Sequence, residues 1–156
     1  MTGFTCRELD IFIKFEIHVI ETLSRLRQTG ARDESGGMLF TNKVDTNHVI
    51  VKAASRPTTN DIRTRNGFIH DKKSSQMLIS KFYSEGLHYI GDWHSHAQIN
   101  PIPSTKDFAT INSVYQKSTH NLNYFLMLIT SNDEDFSKSY LGLTDGKSLF
   151  KCEPDL

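Results

Sequence analysis

An α/β fold, with a mixed central β-sheet and helices packed on it, is what this 156-residue sequence predicts. Segments with the two-residue period of strands alternate with segments of helical spacing along the whole chain. Apolar residues make up 37% and charged residues 23%, enough to bury a core and too little charge for wholesale disorder. The length suits one domain spanning 1–156.

The elements follow in order. Ile11, Ile13, Phe15 and Ile17 alternate with Phe12, Lys14, Glu16 and His18, which reads as a short strand. Val19, Ile20, Leu23 and Leu26 then fall at helical spacing, with Glu21, Arg25 and Arg27 opposite. That helix is expected to end near Thr29-Gly30, where glycine suits a C-terminal cap. Gly37 to Thr41 and His48 to Ala53, joined by the polar stretch Asn42 to Asn47, read as a hairpin. Ser55 to Gly67 has no periodicity and reads as a functional loop. Asp71 to Ser84 reads as a helix whose inner stripe is Met77, Leu78, Lys81 and Phe82, stopped by Gly86.

Leu87 to Trp93 is apolar enough for a central strand. Ala97 to Pro103 carries two prolines and must be loop. Ser104 to Lys117 is expected to be a helix with Phe108, Ile111, Val114 and Tyr115 inward. Strands follow at Leu122 to Thr130 and Ser137 to Thr144, with a last edge strand at Ser148 to Lys151. Trp93 and the phenylalanines are assigned to the core.

Charge and cysteine usage bound the partners. Eighteen basic and eighteen acidic residues cancel, which gives no electrostatic argument for nucleic acid or an anionic membrane. No apolar run approaches the length that crosses a bilayer, and the first residues lack the pattern of a signal peptide. Two cysteines, Cys6 and Cys152, allow one terminal disulfide, but a reducing compartment is the simpler reading. The expected location is cytoplasmic.

The chemistry gathers in Gly91-Asp92-Trp93-His94-Ser95-His96, with Ser104 and Asp107 following at short range. On a strand, His94 and His96 point the same way and can chelate one ion, with Asp107 adding an oxygen from the next helix. Three N/O ligands and an open position are how a catalytic zinc is held. Two plainer accounts stand beside this. Seven histidines make a chance His-x-His plausible. Ser104-Thr105-Lys106-Asp107 also fits a capping box, in which the acid closes a helix end and binds nothing. Hydrolysis needs a base as well, and Glu34 in Asp33-Glu34-Ser35-Gly36-Gly37 is the candidate, because the two glycines allow close backbone approach. Alone, a loop glutamate is an ordinary surface residue.

Taken together, Glu34-Ser35-Gly36-Gly37-Met38-Leu39 and the run from His94 through His96 and Ser104 to Asp107 resemble the motif of the JAMM (MPN+, JAB) zinc metallopeptidases. The order of elements resembles that family's fold too, a single JAMM/MPN-type domain over most of the chain. Ala97 departs from the pattern, which has proline after the second histidine. The resemblance implies His94, His96 and Asp107 as ligands of Zn2+, Glu34 as the base that activates water and then protonates the leaving nitrogen, and Ser104 as support for the oxyanion. It implies cleavage of peptide or isopeptide bonds after the C-terminal residue of ubiquitin or ubiquitin-like proteins.

The flanks Tyr89 to His96 and Arg56 to Asp71 resemble the small bacterial branch encoded beside E1- and E2-like proteins in CBASS antiphage operons. For that branch the substrate would be a CD-NTase (cGAS-like) C-terminal tail and its conjugated target. Arg56, Arg63 and Arg65 would then grip an extended tail, Arg63 above all through KM. A phage-tail cell-wall peptidase, a sulfur-carrier processing enzyme and a non-catalytic scaffold of the same fold are the alternatives.

Overall fold

A computed structural model describes residues 2–156. Eleven strands and three helices run in the order β1 (Thr2–Cys6), β2 (Ile11–Phe15), α1 (Ile17–Arg25), β3 (Gly36–Thr41), β4 (His48–Val51), β5 (Ala53–Ala54), β6 (Ile62–Thr64), β7 (Gly67–Ile69), α2 (Lys72–Ser84), β8 (His88–Ser95), α3 (Thr105–Lys117), β9 (Phe125–Thr130), β10 (Tyr140–Thr144) and β11 (Leu149–Pro154). Nine of the strands form one mixed sheet in the order β4-β2-β1-β11-β10-β9-β8-β3-β5. The fold is α/β, as the alternating periods predict.

The sheet curls back on itself. Its two end strands, β4 and β5, are separated in the chain by Lys52 alone. β4 runs parallel to β2, while β5 runs antiparallel to β3, and the Lys52 amide donates to the Phe40 carbonyl at 2.8 Å. The expected hairpin between Gly37–Thr41 and His48–Ala53 is therefore only half realised. Its second strand serves both ends of the sheet, because a strand leaving β3 can satisfy its outer hydrogen bonds on β2. For the same reason the last strand is no edge. β11 lies between β10 and β1, a strand the sequence did not single out.

The inner face holds the main core, including Phe4, Phe15, Leu39, Val51, Trp93, Leu128 and Leu141, with Val19 and Leu23 of α1 closing it. Helix α1 stops at Arg25, before the predicted Thr29-Gly30 end, and an irregular connector leads on to β3. The outer face is covered by α2 and α3. Phe82 of α2 stacks on Phe40 at 4.1 Å, and Ile111 of α3 packs on Met127 and Ile129. Met77, expected inside, is 65% exposed, because α2 meets the sheet on the Leu78–Phe82 side. With both faces covered, β9 is buried at every position, which is why its sequence runs apolar without alternation.

The stretch expected to be loop from Ser55 to Gly67 contains β6, and Gly67 begins β7, so the two form a small separate hairpin. Three-residue strands carry too little periodicity to be read from sequence. No helix among the described residues is long and apolar enough to cross a membrane.

Candidate active site

Strand β8 carries its side chains alternately to the two faces. Trp93 and Ser95 are fully buried toward the core, and Asp92 and His94 face the cleft between the β6–β7 hairpin and α3. His96 lies just past the strand end, where its amide donates to the Thr130 carbonyl at 3.2 Å and extends the same direction. The imidazoles of His94 and His96 end 5.0 Å apart, centre to centre.

Helix α3 begins opposite them. Ser104 is its N-cap and accepts from the Asp107 amide at 3.0 Å, while Asp107 Oδ2 accepts from the Ser104 amide at 2.9 Å. The capping box is thus present, and it does not compete with the site. It turns the Asp107 carboxylate toward the histidines, with Oδ1 3.3 Å from His94 Nε2 and Oδ2 3.4 Å from His96 Nε2. The Ser104 hydroxyl uses a lone pair on the cap, and its proton has no acceptor among the described residues. It lines the cleft with that proton free.

Glu34 arrives from the other side, on the connector before β3. β3 pairs with β8 in a register that sets Gly36 against His94 and Gly37 against Trp93, so Glu34 stands beside the strand that carries the histidines. One oxygen of Glu34 and one nitrogen each of His94 and His96 lie within 4.8 Å of one another. Glu34 is 5% exposed, and its carboxylate meets no hydrogen-bond donor among the described residues. Burial raises its pKa above the ordinary glutamate value, and the two histidines work against that rise. For Asp107 burial likewise favours the neutral form, but the adjacent His94 and His96 imidazoles and the Ser104 amide outweigh it and hold the carboxyl well below the usual range.

The donor set fits a zinc ion. His94 Nε2 is buried and makes no aligned hydrogen bond, although Asp107 stands 3.3 Å away. A buried imidazole nitrogen without a partner, aimed at a carboxylate shared with a second imidazole, is the arrangement a dication completes. His96 Nδ1 lies 3.4 Å from Gln98 Oε1, which leaves Nε2 as the ligating nitrogen when Nδ1 carries the proton. All five residues singled out from the sequence line one cleft of about 380 Å3, with Gln28, Arg65, Phe68, His70 and Asp92 among its other walls.

Three features went unread. Ser95, between the histidines, accepts from the Ser35 amide at 2.9 Å and returns its own amide to the Ser35 carbonyl at 2.9 Å, so it ties the connector that carries Glu34 to the histidine-bearing strand. Phe68 lies on the cleft rather than in the core and seats its ring over Gly36. Arg63, expected to grip a tail, turns its guanidinium inward to the Glu34 carbonyl at 2.8 Å and the Ser35 hydroxyl at 2.9 Å. Only the fold brings the small hairpin back to residue 34. No local pattern announces it.

Comparison with known proteins shows the family and the fold. Residues 16–140 match the family described as prokaryotic homologs of the JAB domain. Three curated relatives are each named "CD-NTase/cGAS isopeptidase". The one from Enterobacter hormaechei is 28% identical over 103 residues, covering 65% of this chain and 57% of the relative. Those from Escherichia coli and Vibrio cholerae are 30% and 31% identical, each covering 64% of this chain and 70% and 66% of the relative. The match thus spans little more than half of the first relative's length. A protein of Desulfitobacterium hafniense solved in solution shares the fold, with a TM-score of 0.65 at 17% identity over 90% of each chain. The cleft-lining residues from Glu34 to Asp107 all fall inside the matched span, and the chain belongs to the prokaryotic homologs of the JAB domain.

Proposed function

We propose that this protein is a zinc-dependent isopeptidase in which the chain 1–156 acts as one JAMM-type domain, cleaving after the C-terminal residue of a ubiquitin-like or CD-NTase (cGAS-like) protein conjugated to a target. The observation that carries the reading is the convergence of His94 and His96 Nε2 on the two oxygens of one Asp107 carboxylate, with Glu34 alongside. His94, His96 and Asp107 hold the zinc. Bound there, zinc supplies Lewis acidity, polarising the scissile carbonyl and acidifying water.

The chain's own groups do the rest. Glu34, whose carboxylate meets no donor among the described residues and whose pKa burial raises, takes the proton of the attacking water and delivers it to the leaving nitrogen. The Ser104 O–H, free toward the cleft, donates to the oxygen that becomes negative as the carbonyl turns tetrahedral. Asp107 stays ionised throughout, and Gln98 orients His96.

The names of the relatives support the substrate class, a CD-NTase C-terminal tail with its conjugated target. E1- and E2-like proteins are then the operon partners that make the conjugate, and cytoplasmic antiviral defence is the setting. The balanced charge of 18 basic and 18 acidic residues favours a protein substrate over nucleic acid or membrane.

The test is cleavage of an isopeptide-linked conjugate by protein carrying stoichiometric zinc. Glu34→Ala should keep its zinc and lose about a hundredfold or more in rate, as for removal of a general base. His94→Ala should lose the metal itself. Activity that survives both changes, or persists after chelation, sinks the reading. A mass-spectrometric search for conjugates that accumulate beside Glu34→Ala in cells names the substrate.

A further inference from the structure

The connector that carries the base has no secondary structure of its own. From the end of α1 to the start of β3 it makes no strand ladder, and its residues from Thr29 to Asp33 are exposed. A general base must nevertheless be held to within a fraction of an ångström, since small misplacements of a catalytic group cost orders of magnitude in rate. The question is what holds Glu34.

Its backbone is satisfied from one place. The Glu34 amide donates to the Thr64 carbonyl at 2.9 Å, and the Glu34 carbonyl accepts from Arg63 Nε at 2.8 Å. Both partners are neighbours on β6. The same guanidinium donates through Nη2 to the Ser35 hydroxyl at 2.9 Å, so one rigid fork spans two consecutive residues. Ser35 is secured from the opposite side by Ser95. Phe68 of β7 presses on Gly36, where an added Cβ would stand 2.6 Å from the ring. Behind the hairpin, buried Gln28 donates to the carbonyls of Arg32 and Arg65 at 3.1 and 2.7 Å, joining connector and hairpin a second time. Asp61 accepts from the amides of Thr58 and Asp71, each at 2.7 Å, and anchors the hairpin's entry to α2.

We propose that Arg63 is a positioning residue for Glu34, its guanidinium fork clamping the Glu34–Ser35 backbone so that the β6–β7 hairpin holds the base in register with the ligand strand. The proposal rests on the reading of Glu34 as the base and deepens it. Arg63 touches neither the Glu34 carboxylate nor the metal-ligand side chains. It acts through the backbone, so geometry rather than charge is what it supplies. A lysine keeps the charge and lacks the fork, which separates this role from a grip on a substrate carboxylate.

The first test needs no substrate. Amide hydrogen exchange of the full chain is compared between wild type and Arg63→Ala. Exchange at Glu34 and Ser35 should rise about tenfold to a hundredfold, the loss of a charge-assisted hydrogen bond, with Leu126 to Ile129 of β9 unchanged. Unchanged exchange at Glu34 overturns the clamp, and so does a rise spread evenly over the whole chain. The second test uses zinc-loaded protein and a ubiquitin-like C-terminal tail peptide joined to the ε-amine of a lysine peptide. Arg63→Ala should lower kcat about a hundredfold with KM and zinc content held. Arg63→Lys should not restore it, and free guanidinium well below unfolding concentrations should restore part.

A raised KM at unchanged kcat makes Arg63 a tail-binding residue and overturns the proposal. Full activity in Glu34→Gln removes the base and this proposal with it. An inactive Glu34→Gln beside an Arg63→Ala of normal kcat removes this proposal alone.

Discussion

Asp107 does two jobs with one carboxylate, and its ionisation state ties them together. Oδ2 accepts the Ser104 amide as part of the helix cap while both oxygens face the imidazoles. Its folded pKa is depressed, so the stability it contributes is present above the unfolded value of about 3.9 and is lost as pH falls below it. For His96 burial lowers the pKa, yet the hydrogen bond and charge of Asp107 outweigh it and leave a net rise. The stability from that rise is present below about pH 6.5 and is lost as pH climbs through the folded pKa. With a chelator present, the penalty for Asp107→Asn should therefore be largest between about pH 4 and pH 6.5. Denaturation midpoints of the two proteins across pH measure it. A penalty that grows steadily above pH 7 would contradict the assigned pairing.

At the scale of elements, the meeting of β3 and β8 decides whether a site exists at all. Gly36 and Gly37 make that meeting possible in different ways. A Cβ on Gly37 would stand 2.2 Å from the Ser55 carbonyl oxygen and 2.7 Å from Trp93 Nε1, breaking the buried bond between those two groups. The atoms nearest a Cβ on Gly36 would all belong to the Phe68 ring, a side chain able to move. Gly37→Ala should then destabilise the fold by about 1–3 kcal/mol or more. Gly36→Ala should cost less stability and more activity, because Phe68 and its hairpin are displaced from the base connector. Urea midpoints and turnover measured on the same two variants separate the effects. Equal losses of both kinds in both variants would refute the distinction.

Across the whole molecule the curled sheet brings the two chain ends together. β1 pairs with β11 in a register that matches Phe4 with Pro154 and Thr5 with Glu153, and the next step places Cys6 opposite Cys152. Both thiols are free and buried. Burial above all, then the neighbouring Cys6 thiol, pushes the Cys152 pKa far above the ordinary thiol value. Neither thiol should react with iodoacetamide at mild alkaline pH until the β1–β11 seam opens. Labelling followed by mass spectrometry should track unfolding in urea, and rapid labelling of the native protein would show the seam to be loose.

The candidate site residues were legible in residue spacing, and the walls around them were not. His94 and His96 two apart on a strand, and Ser104 and Asp107 three apart at a helix start, are local relations that periodicity and capping express directly. Glu34 gains weight only in combination with the histidine run, since a loop glutamate beside two glycines is by itself an ordinary surface residue. Strand partners were less accessible. A strand's sequence records which faces are buried and says little about which neighbour lies beside it, so the split of His48–Ala54 between two sheet ends and the inward place of β11 went unread. Arg63 was assigned outward because a polar loop offers no reason to look inward.

What the amino-acid order determined by itself was the fold class and the local spacing of the candidate site residues, because short-range geometry follows from backbone period. What only the tertiary structure decided was how Glu34 is held. Residues 34, 63 and 95 meet through long-range pairings, and these are chosen by how a curled sheet satisfies all of its hydrogen bonds at once.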